Sequence, residues 1–284
     1  MLSGLPGHDN SSSRAVISQC FTGLITDIKY FSSITSFLFC AKRSTIRSRP
    51  GSNVIRMAIQ TYEASYRKYF GNTYDKIHKD STHDEVRQVY DIWAVDYDKE
   101  IGAAGACFHK PLAECLDVAV NEVFPNIKKT QLKILDAGAG TGPIGIELLK
   151  LGYTDIHALD ISQEMLNIAK EKGVPYGRFI CCPLTEKKID ELETGEFDAL
   201  ISAGTLIKAN VRPEALVEMI RIVKTGGLVC FSLRYNEVDD YQPKMTELEE
   251  AGIWEKLSGK KIPYYNREDM PSYGFGFVYK ILKN

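Results

Sequence analysis
The chain has 284 residues, of which 44% are hydrophobic and 25% charged. Those proportions are ordinary for a globular protein and exclude a collagen, a mostly disordered chain and a disulfide miniprotein. The formal net charge of −2 hides an asymmetry: residues 1–58 carry seven bases (Arg14, Lys29, Lys42, Arg43, Arg47, Arg49, Arg56) against Asp9 and Asp27, a surplus of +5 that leaves −7 for the rest. A basic leader is joined to an acidic body, and the two read as separate objects. No apolar run approaches the ~18–20 residues that span a bilayer, and Asp27 and Lys29 interrupt any secretory hydrophobic core. The seven cysteines are odd in number and form no C-x-x-C, so neither a disulfide framework nor a zinc site is expected, and a reducing compartment is the simpler setting. C-x-x-x-C-x-x-C is also missing, which excludes a radical iron–sulfur enzyme. His78 and His83 stand five apart in a polar stretch without a nearby cysteine, and no metal is expected there.

Residues 1–57 are rich in Ser and poor in acids, and Ser11–Ser13 and Ser48–Ser52 read as loop. The leader is expected to be a flexible extension. The alternatives are a transit peptide, which would move the protein from the cytoplasm to a mitochondrion, and a translation start at Met57. Residues 58–284 form one domain whose helical cap runs to about residue 125. In that cap, Ala58–Phe70 sets Tyr62, Tyr66 and Phe70 on one helical face. A second helix is expected over Asp84–Trp93, with Val86, Val89, Tyr90 and Trp93 on one side. A third, over Pro111–Val123, has Leu112, Cys115, Leu116 and Ala119 as its apolar stripe.

Leu132–Ala137 reads as a buried strand that enters Asp136-Ala137-Gly138-Ala139-Gly140-Thr141-Gly142, after which Pro143 opens a helix. The next strand, Ile156–Leu159, ends in Asp160. Strand, glycine loop, helix, strand and terminal acid make half of a nucleotide-binding α/β fold. Gly140-x-Gly142-x-x-Gly145 matches the dinucleotide fingerprint, and Asp160 lies where the ribose acid of an NAD site belongs. Asp136 points elsewhere. A carboxylate beside the loop opposes a pyrophosphate but suits an ammonium, and S-adenosylmethionine carries an ammonium, a sulfonium and a ribose diol without phosphate.

The pattern Asp136-x-Gly138-x-Gly140-x-Gly142 followed by Asp160 resembles that of class I S-adenosylmethionine-dependent methyltransferases. Later segments extend the likeness. Ser162 caps a helix that holds Met165. A third strand spans about Gly177–Cys182, and a fourth, Phe197–Ala203, ends in Ser202-Ala203-Gly204-Thr205. A helix over about Pro213–Lys224 reaches Lys224-Thr225-Gly226-Gly227, a glycine turn into strand five, Leu228–Leu233. A helix near Met245–Leu257 and strands near Lys261–Tyr265 and Gly274–Leu282 complete the domain. The segment Tyr90-Asp91-Ile92-Trp93-Ala94-Val95-Asp96-Tyr97-Asp98 is similar to the signature of one subfamily of methyltransferase-like proteins.

The resemblance implies an α/β, Rossmann-like fold: a seven-stranded, mostly parallel sheet with its last strand antiparallel and helices on both faces. It implies S-adenosyl-L-methionine as cofactor. Asp160 would hold the ribose hydroxyls, Ile161 would pack on adenine beside Met165, and backbone near Cys182 and Leu184 would read the adenine edge. Gly138, Gly140 and Gly142 with Asp136 would meet the methionine end, Trp93 and Tyr97 would close over it, and Ser202 would stand at the strand-four border of the pocket. Strand four lacks the Asn/Asp-Pro-Pro-aromatic motif of enzymes that methylate amide or exocyclic amino nitrogens, and the acidic body does not suit a duplex. The acceptor expected is therefore a small molecule or a protein side chain, with Thr205, Arg234 and Tyr235 on its side. A non-catalytic cofactor-binding scaffold and an NAD-dependent oxidoreductase are the alternatives.

Overall fold
A computed structural model describes residues 64–78, 80–207 and 209–283. The basic leader and residues 58–63 of the first expected helix lie outside the described residues; residues 64–70 are helical. Seven strands form one sheet: β1 (Lys133–Ala137), β2 (Asp155–Asp160), β3 (Tyr176–Cys181), β4 (Phe197–Ser202), β5 (Val223–Arg234), β6 (Trp254–Pro263) and β7 (Tyr273–Ile281). Their order is β3-β2-β1-β4-β5-β7-β6. β1 to β5 pair in parallel, and β7 inserts antiparallel between β5 and β6. The chain runs outward from β1 in both directions, so a crevice opens at the ends of β1 and β4, where ligands of such sheets bind.

The period-two alternation of the strands builds two apolar layers. Ile134, Ala199, Ile201, Leu228 and Cys230 face a layer that also holds Leu112 and Leu116, Ile144 and Leu148, and Leu166. These come from α2 (His109–Val123), α3 (Pro143–Lys150) and α4 (Gln163–Glu171). Leu135, Leu200, Val229 and Phe231 face the other layer, against Leu216, Met219, Tyr241 and Met245 of α5 (Leu216–Arg221) and α6 (Val238–Glu250). Asp136 stands between Leu135 and Ala137 in β1, so its side chain falls on the α2–α3–α4 side and is fully buried.

Three boundaries differ from the sequence expectation. The helix expected to end at Trp93 continues as α1 (His83–Ala103) through the whole Tyr-Asp segment. Thr82 and Glu85 cap its start reciprocally, and no glycine or proline interrupts it before Gly102. The helix expected over Met245–Leu257 is α6, which ends at Glu250; Gly252, at φ +62°, stops it. Trp254 then begins β6 where helix was expected. Third, β5 starts at Val223, with the glycine pair inside its first residues. Gly226 takes φ +84° as the turn requires. Gly227 answers a different constraint: a Cβ there would lie 2.6 Å from the Asp198 carbonyl oxygen. β6 is an outer strand, and Lys256, Lys260, Lys261 and Pro263 along it discourage pairing with another chain.

Trp254 anchors β6. It is 1% exposed, its ring stacks 3.9 Å from that of Tyr279, and its Nε1 donates to the Met245 carbonyl at 3.2 Å. Trp254→Ala is expected to cost about 3–5 kcal/mol, read as a lower urea midpoint at unchanged slope. A loss below about 1 kcal/mol would show that β6 is held by its ladder alone.

Candidate active site
After β1 the chain turns through Gly138, Gly140 and Gly142, at φ +76°, +53° and +90°, values that residues with a Cβ rarely adopt. Gly138 and Ala139 donate their N–H groups to the Leu159 carbonyl at 2.7 and 3.0 Å, which ties the loop to β2. A Cβ on Gly138 would lie 2.1 Å from Thr205 Oγ1, whereas one on Gly140 would meet nothing within 4 Å. The loop therefore packs against the β4 loop at its first glycine and opens onto free space at its second. Gly142 caps α3 ahead of Pro143. Gly145 serves packing, since its Cβ would come within 2.6 Å of the Tyr176 hydroxyl.

That free space is a cleft. Its floor is Gly138, Gly140, Leu159 to Ile161 of the β2 end, and Ala203 to Thr205 of the β4 end; α1 covers it with His83, Val86, Tyr90 and Tyr97.

 Met165, Cys182, Pro183 and Leu184 form one side wall and Asn210 and Val211 the other. Of the residues expected from the sequence, Tyr97, Gly138, Gly140, Asp160, Ile161, Met165, Cys182, Leu184 and Thr205 share this cleft. Val86, Tyr90 and Asn210 join them without having been assigned to it. Asn210 donates to the Tyr90 hydroxyl at 2.7 Å, which links the β4 loop to α1.

Other expected residues stand off the cleft wall. Trp93 packs behind Tyr97, edge to face at 4.8 Å, and its Nε1 donates to Glu100 at 2.6 Å. Ser202 is buried and donates to the Ala137 carbonyl at 2.8 Å, which joins the ends of β4 and β1. Gly142 lies against Val174. Asp136 lies beneath the loop, where one carboxylate oxygen accepts the Tyr176 hydroxyl at 2.6 Å and the other has no hydrogen-bond partner. On the acceptor side, Arg234 is buried, paired with Glu237 at 2.7 Å and donating to the Tyr66 hydroxyl at 2.5 Å. Tyr235 stacks on Tyr273.

Asp160 sits where loop, β2 and α4 meet. One oxygen accepts the Gly140 N–H at 2.8 Å and the other accepts the Ser162 N–H at 2.9 Å. A carboxylate offers about four acceptor positions, so each oxygen keeps one for a ligand. Burial pushes its pKa up to about 6, against the pull of those two N–H groups. Burial likewise raises Asp136 to about 7, against the Tyr176 bond. It raises Tyr90 to about 12 and Tyr97 well above the usual range, so both phenols keep their protons at neutral pH.

Two aspartates of α1 reach the same loops. Asp91 accepts the Ser162 hydroxyl at 2.6 Å, and Ser162 in turn caps α4 by accepting the Met165 N–H at 3.1 Å. Asp98 accepts the Thr141 hydroxyl at 2.6 Å through one oxygen and pairs with Lys172 at 2.8 Å through the other. The sequence signal for these contacts is the repeat of Tyr-Asp seven residues apart, at 90–91 and 97–98, which on a helix returns to nearly the same face.

A nucleotide-type crevice with a glycine floor, a buried carboxylate and an aromatic cover, on this sheet order, defines a Rossmann-like cofactor-binding enzyme. A family model described as a methyltransferase domain matches residues 134–227. The chain is 33% identical over 173 residues to methyltransferase-like protein 27 of Homo sapiens, which covers 59% of this chain and 67% of that protein. It is 29% identical over 158 residues to the ubiquinone/menaquinone biosynthesis C-methyltransferase UbiE of Rhizobium johnstonii, covering 54% of this chain and 59% of that one. Among solved structures, the [4+2]-cyclase SpnF has a similar fold, with a TM-score of 0.53 at 16% identity, over 73% of this chain and 99% of that one. The chain belongs to the S-adenosylmethionine-dependent methyltransferase family. No helix among the described residues is long and apolar enough to cross a membrane.

The two raised carboxylates make a stability prediction. Each binds its proton more tightly in the folded chain than in the unfolded one, so folding is favoured most below about pH 4 as far as these groups are concerned. Their contribution declines as pH rises through about 6 and 7. Asp136→Asn, neutral at every pH, should flatten the fall of Tm between pH 5 and pH 7.5 in the ligand-free protein. An unchanged slope would mean that Asp136 titrates at its ordinary value.

Proposed function
We propose that the cleft holds S-adenosylmethionine with its ribose on Asp160 and its adenine between Ile161, Met165 and the Cys182–Leu184 turn. Its methionine end would lie over Gly138 and Gly140, under Tyr97. The single observation that carries this reading is the pair of Asp160 oxygens fixed by Gly140 and Ser162 with acceptor capacity left over, beside a glycine that opens onto free space. A ribose diol needs two such acceptors. Among the described residues, the cleft lining holds no Lys or Arg, as a pyrophosphate would want, and Asp160 in the floor with Asp136 beneath the loop favours a cationic ligand. Tyr97 supports the same reading, because an aromatic face attracts a sulfonium, and Trp93 braces its ring from behind.

The cofactor supplies an electrophilic methyl group on a sulfonium, whose leaving group is a neutral thioether. The chain's own task is alignment, which in favourable cases contributes ~7–11 kcal/mol. Tyr90 and Tyr97 hold their protons and would donate hydrogen bonds to ligand oxygens while α1 keeps water from the cleft. Thr205, at the β4 end, would stand beside the acceptor. A small molecule or a protein side chain suits the acidic body and the narrow, covered cleft better than a nucleic acid duplex does.

Asp160→Ala should weaken binding of S-adenosylhomocysteine by about 10- to 100-fold, the usual worth of hydrogen bonds to a charged group, with the far-UV circular dichroism unchanged. Equal affinity in calorimetry would remove the ribose assignment. For the reaction, a metabolite and protein extract incubated with the chain and labelled methyl donor should yield a labelled small molecule or protein. Label on nucleic acid alone would overturn the acceptor class, and bound cofactor with label in no fraction would favour a scaffold.

A further inference from the structure
α1 is a long helix held over the cleft by both apolar and polar contacts. It has 21 residues, of which Val86 and Ala94 are its buried positions, while Ile92 and Val95 are 73% and 82% exposed. Trp93 and Ile101 add partly buried packing against the core, Trp93 edge to face on Phe70 at 5.6 Å. The contacts by which it reaches the loop and the ribose-side carboxylate are polar. Asp91 takes the Ser162 hydroxyl, and the Ser162 N–H is one of the two donors on Asp160. Asp98 takes the hydroxyl of Thr141, a fully buried residue that stands between Gly140 and Gly142. The two aspartates are seven residues apart, so both lie along one edge of the helix, and Tyr90 and Tyr97 repeat that spacing one position earlier.

We propose that Asp91 and Asp98 are positioning residues: a two-point clasp that fastens α1 over the cleft and sets the ribose carboxylate and the glycine loop together. Asp91 acts through Ser162 on Asp160, and Asp98 acts through Thr141 on the loop floor. Neither touches the cofactor. Because the same helix carries Tyr90 and Tyr97, closing the clasp delivers the aromatic cover at the moment it sets the polar floor. Cofactor binding and α1 docking are then coupled, and each strengthens the other by the same factor. The proposal rests on the cofactor reading given above.

The test is calorimetry with S-adenosylhomocysteine, together with hydrogen exchange over residues 83–103, on the full chain. Asp91→Ala and Asp98→Ala should each weaken binding about tenfold, within the range of site-to-site coupling. In both, α1 should exchange faster and gain less protection when the ligand is added. Asp91→Asn and Asp98→Asn, which keep an oxygen acceptor, should stay within about threefold of the parent and serve as controls for folding. Thr141→Val should reproduce the part of the Asp98→Ala loss that runs through the Thr141 hydroxyl, the rest belonging to the Lys172 pair, and the double variant should be no worse than Asp98→Ala alone, since the Thr141 contact is lost once. Affinities like the parent's in the alanine variants, or additive losses at 98 and 141, would overturn the clasp and leave the cofactor reading intact. A parent chain that binds no S-adenosylhomocysteine would overturn both.

Discussion
The cleft depends on one buried carboxylate that does two jobs with its two oxygens. Asp160 accepts the N–H of Gly140 and the N–H of Ser162, and so fixes the glycine loop to the start of α4. Neither donor has another obvious partner at that place, because a loop at positive φ and the residue that caps a helix both lie outside regular ladders. Without the carboxylate, two N–H groups would face a partly closed cavity, each costing about 1–3 kcal/mol if left unmade. The loop's second tie, from Gly138 and Ala139 to the Leu159 carbonyl, comes from the residue just before Asp160. The end of β2 therefore shapes the loop that follows β1.

The arrangement stores electrostatic tension. Asp136 and Asp160 are both buried, Asp160 raises the pKa of Asp136 while Asp91 raises that of Asp160, and burial itself is the larger cause in both. A core selected for stability alone would not place two acids there. A ligand carrying positive charge relieves that tension, which is the physical reason why the family's cationic cofactor suits a loop flanked by acids. Asp136 contributes to this from below the loop. Its Tyr176 bond fixes one oxygen, and Gly145 leaves room for the Tyr176 ring to reach it.

Much of this was legible in the sequence, and the parts that were not have definite causes. The sheet was legible because buried parallel strands read as apolar runs bounded by glycine turns, and each expected strand is present within a few residues except β6. There the pattern misled: Leu248-Glu249-Glu250-Ala251-Gly252-Ile253-Trp254-Glu255 has helical composition on both sides of Gly252, and the left-handed glycine that ends α6 decides the matter only through its φ. The floor of the cleft was legible because glycines and a strand-end acid are local signals. Asn210 was not, because its position is set by a loop after β4 and by a hydroxyl 120 residues earlier in the chain. Asp136 was legible as a residue but not as a location. Alternation along β1 turns it to the α2–α3–α4 face, whereas its nearness to the loop in sequence suggested the cleft.

The Tyr-Asp repeat shows how one period can carry two functions. Seven residues fall 20° short of two helical turns and advance about 10.5 Å. Tyr90 and Tyr97 therefore present two rings along one line, and Asp91 and Asp98 present two carboxylates along the next, one residue step of about 100° around the axis. The first line faces the cleft and the second meets its rim at Ser162 and Thr141. A single inserted residue between the pairs would turn the second pair by about 100° relative to the first, so that Tyr97 would leave the cleft and Asp98 would leave Thr141 together. The spacing thus fixes cover and fastening by the same geometry. Ile92 and Val95 stay exposed, and the inner face is held by the polar contacts together with the packing of Val86, Ala94, Trp93 and Ile101.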